Sequence, residues 1–117
     1  MKFYALTAAT TDKKSLETEY RNTREIGIVK LGESCLFFRK KLKIYYISYV
    51  DISRCFRRVV TVPAKFYAGK GEFAIENLVL FAGDNEVAQI QMPGAQAARE
   101  LLEEIKKLAP HAQFVRP

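Results

Sequence analysis

A run of basic residues in the middle of the chain has the clearest chemical meaning in this sequence. Between residues 39 and 70, nine lysines and arginines face a single acid, Asp51, although the whole chain carries a formal net charge of only +6. A one-sided positive field of this kind attracts anionic partners. The candidate binding residues in this window are Arg39, Lys40, Lys41, Lys43, Arg54, Arg57 and Arg58.

The first four of these bases, from Arg39 to Lys43, are predicted to lie at the tip of a hairpin. Near a membrane surface each such base contributes about 1 kcal/mol of attraction to anionic lipids. The simpler interpretation is a solvated strand end, where lysine and arginine keep sheet edges from pairing between molecules. The sequence leaves both interpretations open.

The three arginines that follow lie on one predicted strand, where side chains alternate between two faces. Arg54 and Arg58 share one face and Arg57 takes the other, so the three cannot line one flat patch unless a bulge intervenes. Arginine favours bidentate contacts to phosphate or carboxylate groups. Pairing with Asp51 or Glu76 is therefore an equal alternative to binding a ligand.

Aromatic residues lie close to these bases in the sequence. Aromatic rings interleaved with bases on a sheet can stack nucleotides, which makes nucleic acid a further class of partner. No RNP-like signature accompanies them, and aromatic residues at strand spacing are more typical of a core. These residues are Phe37, Phe38, Tyr45, Tyr46 and Tyr49.

No constellation of residues in the sequence fits catalysis or metal binding. His111 is the only histidine, and no nucleophile or orienting acid is predicted beside it. Cys35 and Cys55 lie in apolar runs without metal-ligand spacing, which favours buried reduced thiols over a strand-to-strand disulfide or a reactive thiol. The segment 69–71 lacks the glycine spacing of a phosphate loop. We therefore predict that the protein is not an enzyme and uses no metal or cofactor.

The length and composition predict one domain that positions these residues. The chain has 117 residues, of which 49% are hydrophobic, enough for one core without disulfides. Residues 1–6 do not resemble a signal peptide, and no apolar segment approaches the roughly 20 residues that span a bilayer. The sequence thus predicts a soluble, cytoplasmic protein.

Three regions are predicted along the chain. Residues 1–24 form an N-terminal extension, with a short strand or lead-in followed by a short helix capped by Asp12. Residues 25–92 form a β-barrel of short strands and turns, with a corner at 50–52. The expected strands cover 25–31, 35–39, 42–50, 52–62, 65–67 before a glycine loop, 72–81 with a break near 76–77, and 86–92.

Residues 94–109 predict one amphipathic helix, which follows a Pro-Gly break and ends before Pro110. Its apolar residues recur at the spacing of one buried face. They are Ala98, Leu101, Leu102, Ile105 and Leu108. The order of elements therefore predicts a mainly β protein, a small barrel or sandwich closed by one C-terminal helix.

The segment from Tyr46 to Ile52 (YISYVDI) resembles the step by which one strand turns a corner into the next in GRAM-type and small bacterial pleckstrin-homology-like (PH-like) domains. The preceding run from Leu31 to Phe38 suits the same family. The resemblance covers residues 25–109 and implies a bent antiparallel barrel of about six or seven strands closed by a C-terminal helix. Phosphoinositide-binding members carry bases in the loop between their first two strands. Here that loop is assigned to the short acidic segment 31–33, so that mode of recognition is not expected.

These observations predict a non-catalytic binding or scaffolding module. The first hypothesis is protein interaction, because PH-like barrels bind peptides along a sheet edge or as a docked helix. The second is peripheral binding to an anionic membrane surface through the basic residues, and the third is nucleic-acid binding. Homodimerisation through a sheet edge or helix face stays open.

Overall fold

The computed structural model describes residues 1–63 and 71–117, and within them the chain is mainly β-structure, as predicted. The strand expected at 65–67 and most of the glycine loop after it lie outside the described residues. The elements are β1 (Phe3–Ala5), α1 (Lys13–Arg21), β2 (Arg24–Ile26), β3 (Val29–Leu31), β4 (Cys35–Lys40), β5 (Lys43–Ser48), a 3₁₀ turn (Tyr49–Asp51), β6 (Arg54–Pro63), β7 (Glu72–Ala82), β8 (Asn85–Gln91) and α2 (Ala95–Leu108).

The strands pair into two sheets. Sheet A has the order β1-β5-β4-β3-β2; β2 to β5 form an antiparallel meander, and β1 joins β5 in parallel with Phe3 opposite Ile44. Sheet B is the antiparallel meander β6-β7-β8. The N-terminal extension therefore adds a strand to sheet A as well as a helix. Closure of the two sheets into a barrel stays a prediction.

Three strand predictions are corrected by the structure. The single strand expected at 25–31 is wrong, because Gly27 at φ 62° turns the chain and pairs Ile26 with Val29 in a hairpin. The strand expected at 42–50 ends at Ser48, where the predicted corner forms as the 3₁₀ turn. Strand β7 continues through 76–77, and its register shift lies between Leu80 and Phe81 instead.

The main core lies between the two sheets and α2. Leu36 and Ile47 of sheet A meet Leu78 and Ile90 of sheet B in one buried cluster. From the predicted face of α2, Ala98, Leu101 and Ile105 are fully buried, whereas Leu102 and Leu108 are partly buried against the same cluster. Burial of this apolar stripe is what holds α2 on the sheets.

A second core lies on the other face of sheet A, beneath α1. Phe37 and Tyr46 pack there with Leu16 of α1, and Tyr20 joins them from the next helical turn. Asp12 caps α1 by accepting a hydrogen bond from the Ser15 amide at 3.0 Å, as predicted. Both faces of β4 and β5 are therefore covered along residues 35–38 and 44–47, which explains why consecutive residues there are apolar or aromatic.

The turn between β3 and β4 is fixed from two sides. The Glu19 carboxylate accepts hydrogen bonds from the amides of Ser34 and Cys35 at 3.1 and 2.7 Å. The buried Tyr49 hydroxyl donates to the carbonyl oxygen of Gly32 at 2.7 Å, and burial raises the pKa of this hydroxyl well above its usual range. These contacts join α1, the turn and the corner after β5.

Replacing Gly32 with alanine is expected to lower the free energy of unfolding by about 2 kcal/mol. A Cβ atom there would lie 2.6 Å from Glu19 Cγ, so the carboxylate must leave the turn and two amides lose their acceptor. Urea denaturation measures the loss. Gly94→Ser is the control, because a Cβ at Gly94 meets no atom within 4 Å. Equal stability of the two variants would show that Glu19 does not hold the turn.

Candidate functional site

The hairpin that joins β4 to β5 carries the first four candidate bases. We call residues 39–43 the basic tip. Arg39, Lys40, Lys41 and Lys43 are all exposed, and Lys41 turns the chain at φ 57°. Within the described residues none of the four makes an ion pair. The sequence prediction of a polar hairpin tip at this position is confirmed.

Leu42 is the residue of the basic tip that sequence reasoning missed. It was predicted to lie in a strand with Ile44, but it lies in the turn and its side chain is 96% exposed. Burying such a side chain is worth about 1.5–3 kcal/mol, so its exposure leaves that free energy available for a partner. The signal was present in the sequence as one leucine flanked by lysines.

Arg57 is paired inside the fold. Its Nε and Nη2 atoms donate to the same Oε1 atom of Glu76, at 3.0 and 2.8 Å. Glu76 is only 7% exposed, so this carboxylate depends on Arg57 for compensation of its charge. Of the two partners considered from the sequence, Glu76 is the one that the structure shows. No bulge interrupts the β6–β7 pairing, so Arg57 stays on the opposite face from Arg54 and Arg58.

The other two arginines of β6 also have contacts within the protein. Arg58 donates to Gln89 Oε1 at 2.7 Å and to Glu86 Oε1 at 3.0 Å, both on β8. Arg54 donates to the carbonyl oxygen of Val115 at 2.6 Å. The structure therefore separates the seven candidate bases into two groups. The four cations of the basic tip have no carboxylate partner in the described part of the chain, although Lys43 Nζ lies 5.1 Å from the centre of the Tyr4 ring, and the three arginines have internal partners.

A cleft lies beside the basic tip, between sheet A and strand β8 of sheet B. We call it the β8 cleft. Its two sections have volumes of about 340 and 220 Å³ and share Phe38, Lys40 and Gln89. The Phe38 and Tyr45 rings stack at 5.5 Å on its sheet A side. Sequence reasoning could not find this site, because β4 and β8 meet only in the folded chain.

The aromatic residues near the bases are mostly buried. Phe37, Phe38, Tyr46 and Tyr49 are each no more than 5% exposed, and Tyr45 is partly buried. They are core residues, as their strand spacing favours, and leave little ring surface on which bases could stack.

The two cysteines are buried in the fold, and the histidine contacts a main-chain carbonyl group. Cys35 and Cys55 are buried, as predicted, and neither forms a disulfide. Burial raises the pKa of both thiols, that of Cys55 to about 12. His111 Nε2 lies 3.0 Å from the Ile52 carbonyl oxygen. Among the described residues, no group of three or more His, Cys, Asp or Glu side chains could hold a metal ion.

Cys55 is expected to react with Ellman's reagent at pH 8 at least 100-fold more slowly in the native protein than in the unfolded chain. With a pKa of about 12 almost none of the thiol is ionised at pH 8, and the thiolate is the reactive form. The measurement uses Cys35→Ser, so that Cys55 alone reports, and the same variant in guanidinium chloride gives the unfolded rate. Native and unfolded rates within tenfold of each other would contradict this burial.

The geometry defines a mainly β protein of two sheets and a C-terminal helix, with an exposed basic tip beside a cleft. Comparison with protein-family models, with curated proteins and with solved structures found no match to this chain. Over residues 1–63 and 71–117, no helix is long and apolar enough to cross a membrane.

Proposed function

We propose that this protein is a non-catalytic binding module that docks on anionic membrane surfaces through the basic tip. The observation that carries the proposal is Leu42, which is 96% exposed at the centre of four cations that have no carboxylate partner among the described residues. An apolar side chain inserted at the headgroup boundary, with bases around it, is the composition of a membrane-surface contact.

The expected strength of this contact follows from the same residues. Four bases at about 1 kcal/mol each, with about 2 kcal/mol from Leu42, give about 6 kcal/mol. A free energy of this size corresponds to a dissociation constant of roughly 0.05 mM. The docking is therefore reversible, and salt weakens it because most of its free energy is electrostatic.

The proposed fold is a PH-like barrel, and the order of the elements supports it. The meander β2 to β5, the second meander β6 to β8 and the closing helix α2 follow the order that the family resemblance implies. If β2 and β3 are taken as the first two strands of the barrel, the loop between them is Gly27-Ile28, rather than 31–33. This loop also carries no base. We therefore propose recognition of surface charge in the cytoplasm, rather than of a particular phosphoinositide.

The alternative partners use other features. A protein partner, the first hypothesis from the sequence, is favoured by the β8 cleft, which lies beside the basic tip. Nucleic-acid binding has less support, because Arg54, Arg57 and Arg58 have internal partners and the nearby rings are mostly buried.

Co-sedimentation with liposomes tests the membrane proposal. Vesicles of phosphatidylcholine alone are compared with vesicles containing about 30% phosphatidylserine, at 50 and 150 mM NaCl. We expect binding to the anionic vesicles only, at least tenfold weaker for Lys40→Glu/Lys41→Glu and about fivefold weaker for Leu42→Ala, because these changes remove attraction and insertion respectively.

The matched control is Lys14→Glu/Arg116→Glu, which changes the net charge by the same amount at exposed bases outside the basic tip. We expect it to retain most of the binding at 150 mM NaCl. If the two double variants lost vesicle binding equally, the net charge of the protein alone would explain the loss. That result would contradict docking through the basic tip. No binding to anionic vesicles at 50 mM NaCl would remove the proposal altogether.

A further inference from the structure

Strand β8 has an outer edge that no strand of the described chain covers. Sheet B has the order β6-β7-β8, so β8 pairs with β7 on one side only. The Met92 amide donates to the Glu76 carbonyl oxygen at 2.8 Å, directly beyond the last pair of the ladder. In an antiparallel ladder the bonded and non-bonded pairs alternate, which directs the main-chain N–H and C=O groups of Gln89 and Gln91 outward.

The two residues that carry these outward groups line the β8 cleft. Gln89 and Gln91 both line its 340 Å³ section, and Ile28, Phe38 and Lys40 line the same section from sheet A. An apolar depression formed by Gly27, Ile28, Gln91, Met92 and Pro93 continues beyond this section. Because the 220 Å³ section extends to Val87, the concave surface follows most of β8.

The charges and rings around the β8 cleft indicate what fits it. Its only charged lining residues within the described chain are Arg39 and Lys40, and neither has an ion-pair partner there. Tyr45, whose ring stacks on the buried Phe38, and the half-exposed Ile28 add an apolar wall. A ligand complementary to the outward main-chain groups, the two cations and the apolar wall has an extended main chain, carboxylates and apolar side chains.

We propose that the β8 cleft binds an extended acidic peptide segment of a partner protein, which adds to sheet B as a fourth strand beside β8. Its main chain exchanges hydrogen bonds with Gln89 and Gln91, as in other cases of strand addition to a free sheet edge. Its acidic side chains lie beside Arg39 and Lys40, and its apolar side chains pack against Tyr45 and the half-exposed Ile28. This site shares Arg39 and Lys40 with the proposed membrane contact, but Lys41 and Leu42 do not line it.

Selection from a random dodecamer peptide library on phage tests the proposal. We expect the enriched sequences to alternate acidic with apolar residues. The most enriched peptide is then synthesised, and its affinity is measured by fluorescence anisotropy for the unmodified protein and for two variants at one position. Gln91→Pro removes the outward N–H, which an edge strand tolerates, whereas Gln91→Ala keeps it.

We expect Gln91→Pro and Lys40→Glu each to weaken peptide binding at least tenfold, and Gln91→Ala and Leu42→Ala to change it less than twofold. Amide chemical-shift mapping on the unmodified protein keeps the test valid even where Gln91→Pro fails to fold. It should show the largest shifts at Gln89 and Gln91. Lack of enrichment, enriched peptides without acidic residues, or shifts confined to other strands would each overturn the proposal. The Leu42→Ala result separates this site from the membrane contact, because only vesicle binding depends on Leu42.

Discussion

Replacing Phe37 with alanine is expected to lower the free energy of unfolding by about 4 kcal/mol. The Phe37 side chain is fully buried on the face of sheet A that α1 covers. Its ring lies 5.8 Å from Phe3, 5.2 Å from Tyr20 and 6.3 Å from Tyr46 between centroids. Truncation therefore removes the shared contact of β1, α1 and β5 and leaves a cavity among rigid rings. Urea denaturation followed by circular dichroism measures the loss.

The control for this prediction is Phe37→Leu, which keeps most of the buried volume and is expected to cost about 1.5 kcal/mol. Both variants lose the aromatic ring, so the difference between their free energies of unfolding measures the cost of the cavity. A cost below 1 kcal/mol for Phe37→Ala would contradict the packing of α1 on sheet A.

The second large effect is expected at the buried ion pair. Replacing Arg57 with alanine should lower the free energy of unfolding by about 3 kcal/mol, because it leaves the Glu76 carboxylate almost buried and without its donor. This value is at the lower end for a broken buried pair, since the Arg57 side chain is 29% exposed and water can partly replace it. Chemical denaturation at pH 7 provides the measurement.

Two further variants distinguish the cost of breaking the ion pair from the cost of removing an arginine side chain. Arg57→Ala/Glu76→Leu removes the stranded charge as well and should recover most of the lost stability. Arg54→Ala removes an arginine whose hydrogen bond goes to a surface carbonyl, and it should cost less than 1 kcal/mol. If Arg57→Ala were no more costly than Arg54→Ala, Glu76 would not depend on its partner.

The order of elements could be predicted from the sequence because its signals are local. The cap at Asp12 and the apolar face of α2 each depend on a few neighbouring residues. The hairpin at Gly27 was missed because Ile28, an apolar residue, takes the second place of its turn. The parallel pairing of β1 with β5 has no local signal at all.

The candidate site was predictable only in part, for the same reason. The sequence predicts four bases at one hairpin tip, and the structure places them there without an ion-pair partner among residues 1–63 and 71–117. The partners of the other three depend on register across strands, which puts Glu76 within reach of Arg57 and puts Gln89 and Glu86 within reach of Arg58. The β8 cleft depends on how two sheets approach one another, and no spacing in the sequence encodes that.

The parallel pairing of β1 also sets an order of events during synthesis. Phe3 lies opposite Ile44, so the first strand of the chain has no neighbour until β5 has been made. At about 10 residues per second, β1 waits roughly 4 s on the ribosome. The hairpins β2–β3 and β4–β5 have short loops and form first. Strand β1, although it is made before the other strands of sheet A, is therefore expected to be the last of them to join the sheet.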